Sequence, residues 1–287
     1  MERVAIITDS TACLPPELVA QYGIRVLPLT IHFNERAYHD GVDLTPDQFY
    51  EMLKVARDLP TTSASSAGEF LAAFREVGGG TRSIVCVLIS GNYSATIEAA
   101  TTAREMAREA LPDTEIAIVD GRTTAGALGF SALEAARAAR DGADMAQVVA
   151  RAEETVSKVT FIAVLDTLSY LARGGRIGTA AAWASSLLSI KPIIEVPTTT
   201  GYTEGLERAR TKSRAIKRLL DVVEERVGSA PLHAMVHHAG TLEEGEALKE
   251  QVARRFNCVE LYLTPFTPVM GAHTGPGLVG VSFFADK

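Results

Sequence analysis

The feature that most constrains this chain is its alternation of short apolar runs with longer segments of helical period. Strand-length runs fall at Val4–Ile7, Ile24–Phe33, Ser83–Ile89 and Glu115–Val119, and again at Thr160–Leu165, Ile193–Val196, His233–His237, Val259–Leu263 and Val279–Phe284. Runs that are apolar throughout, separated by helices, belong to sheets covered on both faces. Two consecutive helical stretches, Thr123–Arg140 and Met145–Val156, divide the two sets of strands. The pattern predicts an α/β fold of two lobes, residues 1–157 and 158–287, with largely parallel sheets bridged by those helices. Only 6% of the 287 residues are aromatic, so the core must be aliphatic.

Helix starts are written in the capping residues. Thr45-Pro46-Asp47-Gln48 combines an N-cap, a proline at the first helical position and a glutamine able to close a capping box. Ser66-Ala67-Gly68-Glu69 and Thr241-Leu242-Glu243-Glu244 follow the same logic.

Three loops of the first half are built from small hydroxyl residues. The first strand ends in Thr8-Asp9-Ser10-Thr11, and the strand at Ser83–Ile89 ends in Ser90-Gly91-Asn92-Tyr93-Ser94-Ala95-Thr96. Between them runs Pro60-Thr61-Thr62-Ser63-Ala64-Ser65-Ser66. Open α/β sheets collect ligands beyond the carboxyl ends of their strands, where helix N-termini offer unpaired N–H groups to an anion. Ser and Thr are also common helix caps, and any one loop taken alone is better read that way. A fourth segment, Gly271-Ala272-His273-Thr274-Gly275-Pro276-Gly277, reads as a glycine-framed loop presenting His273. All four together point to a shared site for a carboxylate or phosphate.

Other chemistries find less support. A net charge of −7 without a basic cluster argues against nucleic acid as a partner. There is no Gly-x-x-x-x-Gly-Lys-Ser/Thr phosphate loop and no Gly-x-Ser-x-Gly elbow. His237 and His238 are adjacent on a strand and so point to opposite faces, which disfavours joint metal binding. Cys86 and Cys258 read as buried thiols, and Cys13, near a helix start, as a more reactive one. Arg176 after Gly174-Gly175, and the edge Glu207-Arg208-Ala209-Arg210-Thr211-Lys212-Ser213-Arg214, read as ion-paired surface or as docking elements. No signal peptide and no apolar run of membrane-spanning length are visible, so a cytoplasmic location is expected.

Taken in order, these segments resemble the DegV family over nearly the whole chain, from Val4 to about Phe284. The resemblance rests on Thr8-Asp9-Ser10-Thr11, Thr62-Ser63 with Gly68-Glu69-Phe70, Ser90 through Thr96, and Leu168-x-Tyr170-Leu171-x-x-Gly174-Gly175-Arg176-Ile177. Leu187-Leu188-Ser189-Ile190-Lys191-Pro192-Ile193, Arg210-Thr211 and Gly271 through Gly277 complete it. Ser65 departs from the family pattern, as do Gly91, Tyr93 and Ala95. The resemblance implies a ligand site between the lobes that takes a long-chain fatty acid such as palmitate. Its carboxylate would meet Thr62, Ser63, Ser94, Ala95 and His273, supported by Asp9, Ser10, Thr96, Arg176, Gly271 and Thr274, with the acyl chain inside the N-terminal lobe. It further implies a protein that is not itself an enzyme and has no cofactor beyond the bound acid. It would present the acid to a separate fatty acid kinase, docked near Arg210, for acyl-phosphate formation, with membrane contact at most transient. The alternative is a phosphotransfer component related to dihydroxyacetone kinase acting on a small anion.

Overall fold

In the computed structural model, residues 4–186 and 190–286 are described, side chains at 184–186 excepted. Leu187, Leu188 and Ser189 of the central motif lie outside them. The first half runs β1 (Val4–Asp9), a 3-10 turn (Ser10–Ala12), α1 (Pro16–Tyr22), β2 (Arg25–Leu27), β3 (Thr30–Phe33), β4 (Arg36–His39), α2 (Pro46–Val55), β5 (Thr61–Ser63), α3 (Ala67–Gly78), β6 (Ser83–Leu88), α4 (Thr96–Ala110) and β7 (Glu115–Asp120). Then come α5 (Ala125–Arg140) and α6 (Met145–Lys158). The second half runs β8 (Thr160–Val164), α7 (Ser169–Arg173), a second 3-10 segment (Gly178–Ser186), β9 (Lys191–Glu195), β10 (Glu204–Ala209), α8 (Lys212–Val227), β11 (Leu232–His238), α9 (Leu242–Arg255), β12 (Cys258–Pro265), α10 (Pro268–Thr274) and β13 (Val279–Ala285).

The α/β class and its two lobes are as expected. The first sheet, ordered β2-β1-β6-β7, is wholly parallel. The second, β10-β9-β8-β13-β11-β12, departs from expectation: only β11 and β12 run parallel, and every other pairing is antiparallel. Two of these pairings come from β13, the last strand, which enters between β8 and β11 against both, and the other two from β9, which runs against β8 and β10. A small antiparallel sheet, β4-β3-β5, completes the N-terminal lobe. The expected strand Ile24–Phe33 is in fact β2 and β3 on two different sheets, because Pro28 between them has no N–H for a ladder.

Capping boxes form at Thr45–Gln48 and Ser66–Glu69 as expected, and also at Asp144–Gln147. Thr241 makes no side-chain cap on α9, and the Glu244 carboxylate pairs with Lys212 and so closes no capping box.

Helix α5 is the bridge between the lobes. Every residue from Ala125 to Ala136 is buried, and the helix packs on strands of both large sheets. Its two glycines permit the close approach: a Cβ at Gly126 would lie 2.7 Å from His237 Nε2, and one at Gly129 2.6 Å from the Ala12 carbonyl. His237 in turn accepts the Gly126 N–H at 3.1 Å and meets the Thr264 and Ser282 hydroxyls. His238, alternating to the other face, lies against Gly245 of α9. Cys13 is buried, and desolvation pushes its thiol up to about 12, so the expected reactivity is reversed.

Candidate functional site

A cavity of about 270 Å³ lies where the two lobes meet. Its apolar lining comes from Leu29, Ile89, Phe161, Leu171, Ile194, Val196, Val269 and Met270, and its polar lining from Thr11, Thr62, Ser94, Thr124, Arg176, Thr203, His273 and Thr274. The apolar lining is therefore shared between lobes and not confined to the N-terminal one.

His273 does not sit in a loop. It lies on the last turn of α10, and the glycine frame is the end of that helix, with Gly275 and Gly277 at positive φ. Its Nε2 stands 2.8 Å from Thr62 Oγ1. Thr62 reaches it because β5 pairs with β3 in a register that sets Thr62 beside the buried Ile31. Ser63 also lines the cavity, but alternation along β5 takes its hydroxyl to exposed His32 at 3.1 Å. Burial, then the nearby Arg176 guanidinium, lowers the His273 imidazole to about 4, so the ring is neutral near pH 7. Nδ1 is buried without a hydrogen-bond partner.

The other polar groups come from the loop after β6. Ser94 Oγ lies 2.7 Å from the hydroxyl of buried Thr96. Ala95 occupies the N-cap position of α4 and offers no side-chain cap, which leaves the first N–H groups of a 15-residue helix for an anion. Arg176 donates to the Tyr93 carbonyl from Nε at 3.1 Å and Nη2 at 3.0 Å, and to the Gly174 carbonyl at 2.7 Å. Its charge is thus committed to holding the two loops together.

The comparisons with known proteins bear on this arrangement. Residues 3–286 match the family model described as uncharacterised proteins of the DegV family. The chain belongs to the DegV family. A DegV domain-containing protein of Streptomyces coelicolor is 37% identical over 281 residues, 97% of each chain. Protein DegV of Bacillus subtilis is 32% identical over 281 residues, 97% of this chain and 98% of that one. Among solved structures, a DegV family protein from Thermus thermophilus described for its fatty acid binding has a TM-score of 0.91 at 28% identity, covering 99% of this chain and 100% of the other. DegV of B. subtilis, described as a fatty acid binding protein, has a TM-score of 0.89 at 30% identity over the full length of both.

In this DegV chain the remaining expected residues divide by position. Thr274 lines the cavity, its hydroxyl donating to the Met270 carbonyl at 3.0 Å. Asp9, Ser10, Thr96 and Gly271 lie behind the wall. Asp9 accepts from Thr11 N at 3.0 Å and Ile89 N at 2.8 Å, pinning together the ends of β1 and β6. Ser10 accepts from Leu29 N at 3.2 Å. A Cβ on Gly271 would lie 2.6 Å from the Tyr50 hydroxyl, so the glycine lets α10 seat on α2. Arg210 is exposed in the bend before α8, away from the cavity lining.

The departures also find their places. Tyr93 lines the cavity and sets its hydroxyl 2.6 Å from Thr203 Oγ1, tying the lobes together. The Ser65 hydroxyl donates to the Pro28 carbonyl at 2.8 Å. Sequence reasoning missed Thr124, Thr203, Met270 and Phe161, each of which reads locally as ordinary cap or core.

Proposed function

We propose that this chain binds a long-chain fatty acid such as palmitate and presents it, without transforming it, to a separate kinase that phosphorylates the carboxylate. The observation that carries the reading is a cavity lined both by apolar side chains and by hydroxyl and imidazole groups, with the Arg176 guanidinium beside them. A buried carboxylate is costly unless hydrogen-bonded, while each buried CH₂ returns about 0.8 kcal/mol. A carboxylate only accepts. The Thr62 hydroxyl would donate to it while Oγ1 accepts from a neutral His273 carrying its proton on Nε2. Ser94 and the amides that open α4 would hold the other oxygen. Family membership, and the fatty-acid binding stated for the T. thermophilus and B. subtilis relatives, support the reading. Arg210, outside the cavity, would face the kinase, and the expected place of action is the cytoplasm.

The deciding experiment is to denature the purified protein, identify released lipid by mass spectrometry, and measure melting with added palmitate. About one long-chain acid per chain, or a clear rise in Tm with palmitate, is expected. No released lipid together with no thermal shift would overturn the reading.

A further inference from the structure

We propose that Asp40 is a positioning residue for the site, setting His273 against Thr62 through the short helix that carries His273. The inference rests on the fatty-acid reading only for its consequence in binding.

Helix α10 has seven residues, short of the length at which a helix sustains itself in water, so its placement must come from outside. Its opening, Thr267-Pro268, looks self-capping, yet the Thr267 hydroxyl makes no cap. Pro268 has no N–H to give, so the first donor of the helix is that of Val269. Asp40 Oδ1 accepts it at 3.0 Å from 229 residues away. One helical turn beyond Val269, on the same face, comes His273. Asp40 is itself anchored: it follows β4 directly, and its own N–H donates to the carbonyl of Leu29, a residue of the cavity wall, at 2.9 Å. The carboxylate thus joins the β3–β4 hairpin to the first turn of α10.

Stability does not account for a carboxylate here. Asp40 is 3% exposed, and Oδ2 makes no hydrogen bond of good geometry. The titratable groups that face it are Asp9 at the end of β1, Cys13 after the 3-10 turn and Tyr50 on α2, none of them a cation. Burial pushes its carboxyl up to about 6, although the Ser10 and Thr267 hydroxyls and the Val269 amide ease it. A buried carboxylate that faces no cation is a cost to the fold. What it delivers is a fixed location for α10.

The test uses the full-length protein and two readouts: palmitate affinity by calorimetry, and the His273 imidazole resonances of ligand-free protein by NMR. Asp40→Ala is expected to shift those resonances and to weaken palmitate binding about tenfold, the loss of one hydrogen bond to a charged group. Asp40→Asn keeps an oxygen for the Val269 N–H and is expected to restore both. Asp144→Ala, which removes the cap of the distant α6, is expected to lower Tm while leaving both readouts unchanged. Should Asp40→Ala not fold, Asp40→Glu serves: its carboxylate reaches one methylene too far, so the His273 resonances must move although the charge is kept. Unmoved His273 resonances in Asp40→Ala (or in Asp40→Glu where it serves instead), or a loss in Asp40→Asn as severe as in Asp40→Ala, overturns the assignment. A wild-type protein that fails to bind palmitate defeats the binding reading alone, and the resonances then decide on Asp40.

Discussion

Gly174 lies directly beneath His273, so close that a Cβ on residue 174 would stand 2.4 Å from the imidazole Nδ1. Residue 174 has φ −75° and ψ −8°, a conformation any residue adopts, so the glycine is required by the histidine and not by the backbone. Gly174→Ala is therefore expected to fold normally but to displace the ring from Thr62. Palmitate affinity should fall by about tenfold, the worth of one good hydrogen bond. Calorimetric titration checks it; wild-type affinity would mean that the ring takes no part in holding the acid.

Thr62→Val keeps the β-branched shape suited to β5 and removes only the hydroxyl. Loss of a hydrogen bond to a charged group, roughly 1.5–3 kcal/mol, predicts a fall in palmitate affinity of about tenfold or more. Ser94→Ala is expected to act in the same direction. Retained affinity in both variants would place the carboxylate elsewhere in the cavity.

The pH dependence of stability carries a sign set by Asp40. Its carboxyl titrates at about 6 in the fold against 3.8 normally, so between these values the folded state binds more protons than the unfolded one. This group's contribution is full below pH 3.8 and is lost as pH rises through 6. Asp40→Asn is expected to melt higher than wild type at pH 7.5, with the gain shrinking toward zero near pH 4. Melting curves across that range suffice, and an equal Tm difference at both ends would refute the linkage.

Arg210 is exposed and apart from the cavity lining. Charges at the rim of an interface act on association rate and salt dependence more than on affinity for a buried ligand. Arg210→Ala is expected to slow acyl-phosphate formation with a partner kinase and to flatten its salt dependence, with palmitate affinity unchanged. A drop in palmitate affinity would contradict a docking role.

Much of this architecture is legible residue by residue, and the exceptions share a cause. Boundaries set by local chemistry, such as the capped starts of α2 and α3, are visible in the sequence. Relationships set by distant segments are not. β5 is three polar residues that become a strand only because β3 lies beside them. The two antiparallel pairings of β13 depend on its insertion between β8 and β11, which no local pattern records. Gly271, Gly275 and Gly277 read as loop punctuation, yet Gly271 lies within α10 and is a glycine because Tyr50 needs the space. Thr62, Ser94 and His273 were readable as candidates; the contact between Thr62 and His273 spans 211 residues and was not. Asp40 gave no local signal at all, since its partner Val269 is further away still.

The burial of α5 on two sides has a consequence for how the molecule comes apart. A helix whose Leu128, Phe130 and Leu133 are fully buried, with Phe130 stacked edge-on against Phe284 of β13 at 5.2 Å, has no solvent face to fall back on. Severing the chain between Lys158 and Val159 would leave the first fragment with a naked apolar column and the second with an uncovered sheet. Neither half is expected to fold by itself. The two lobes must melt together, and the cleft between them exists only while both are present.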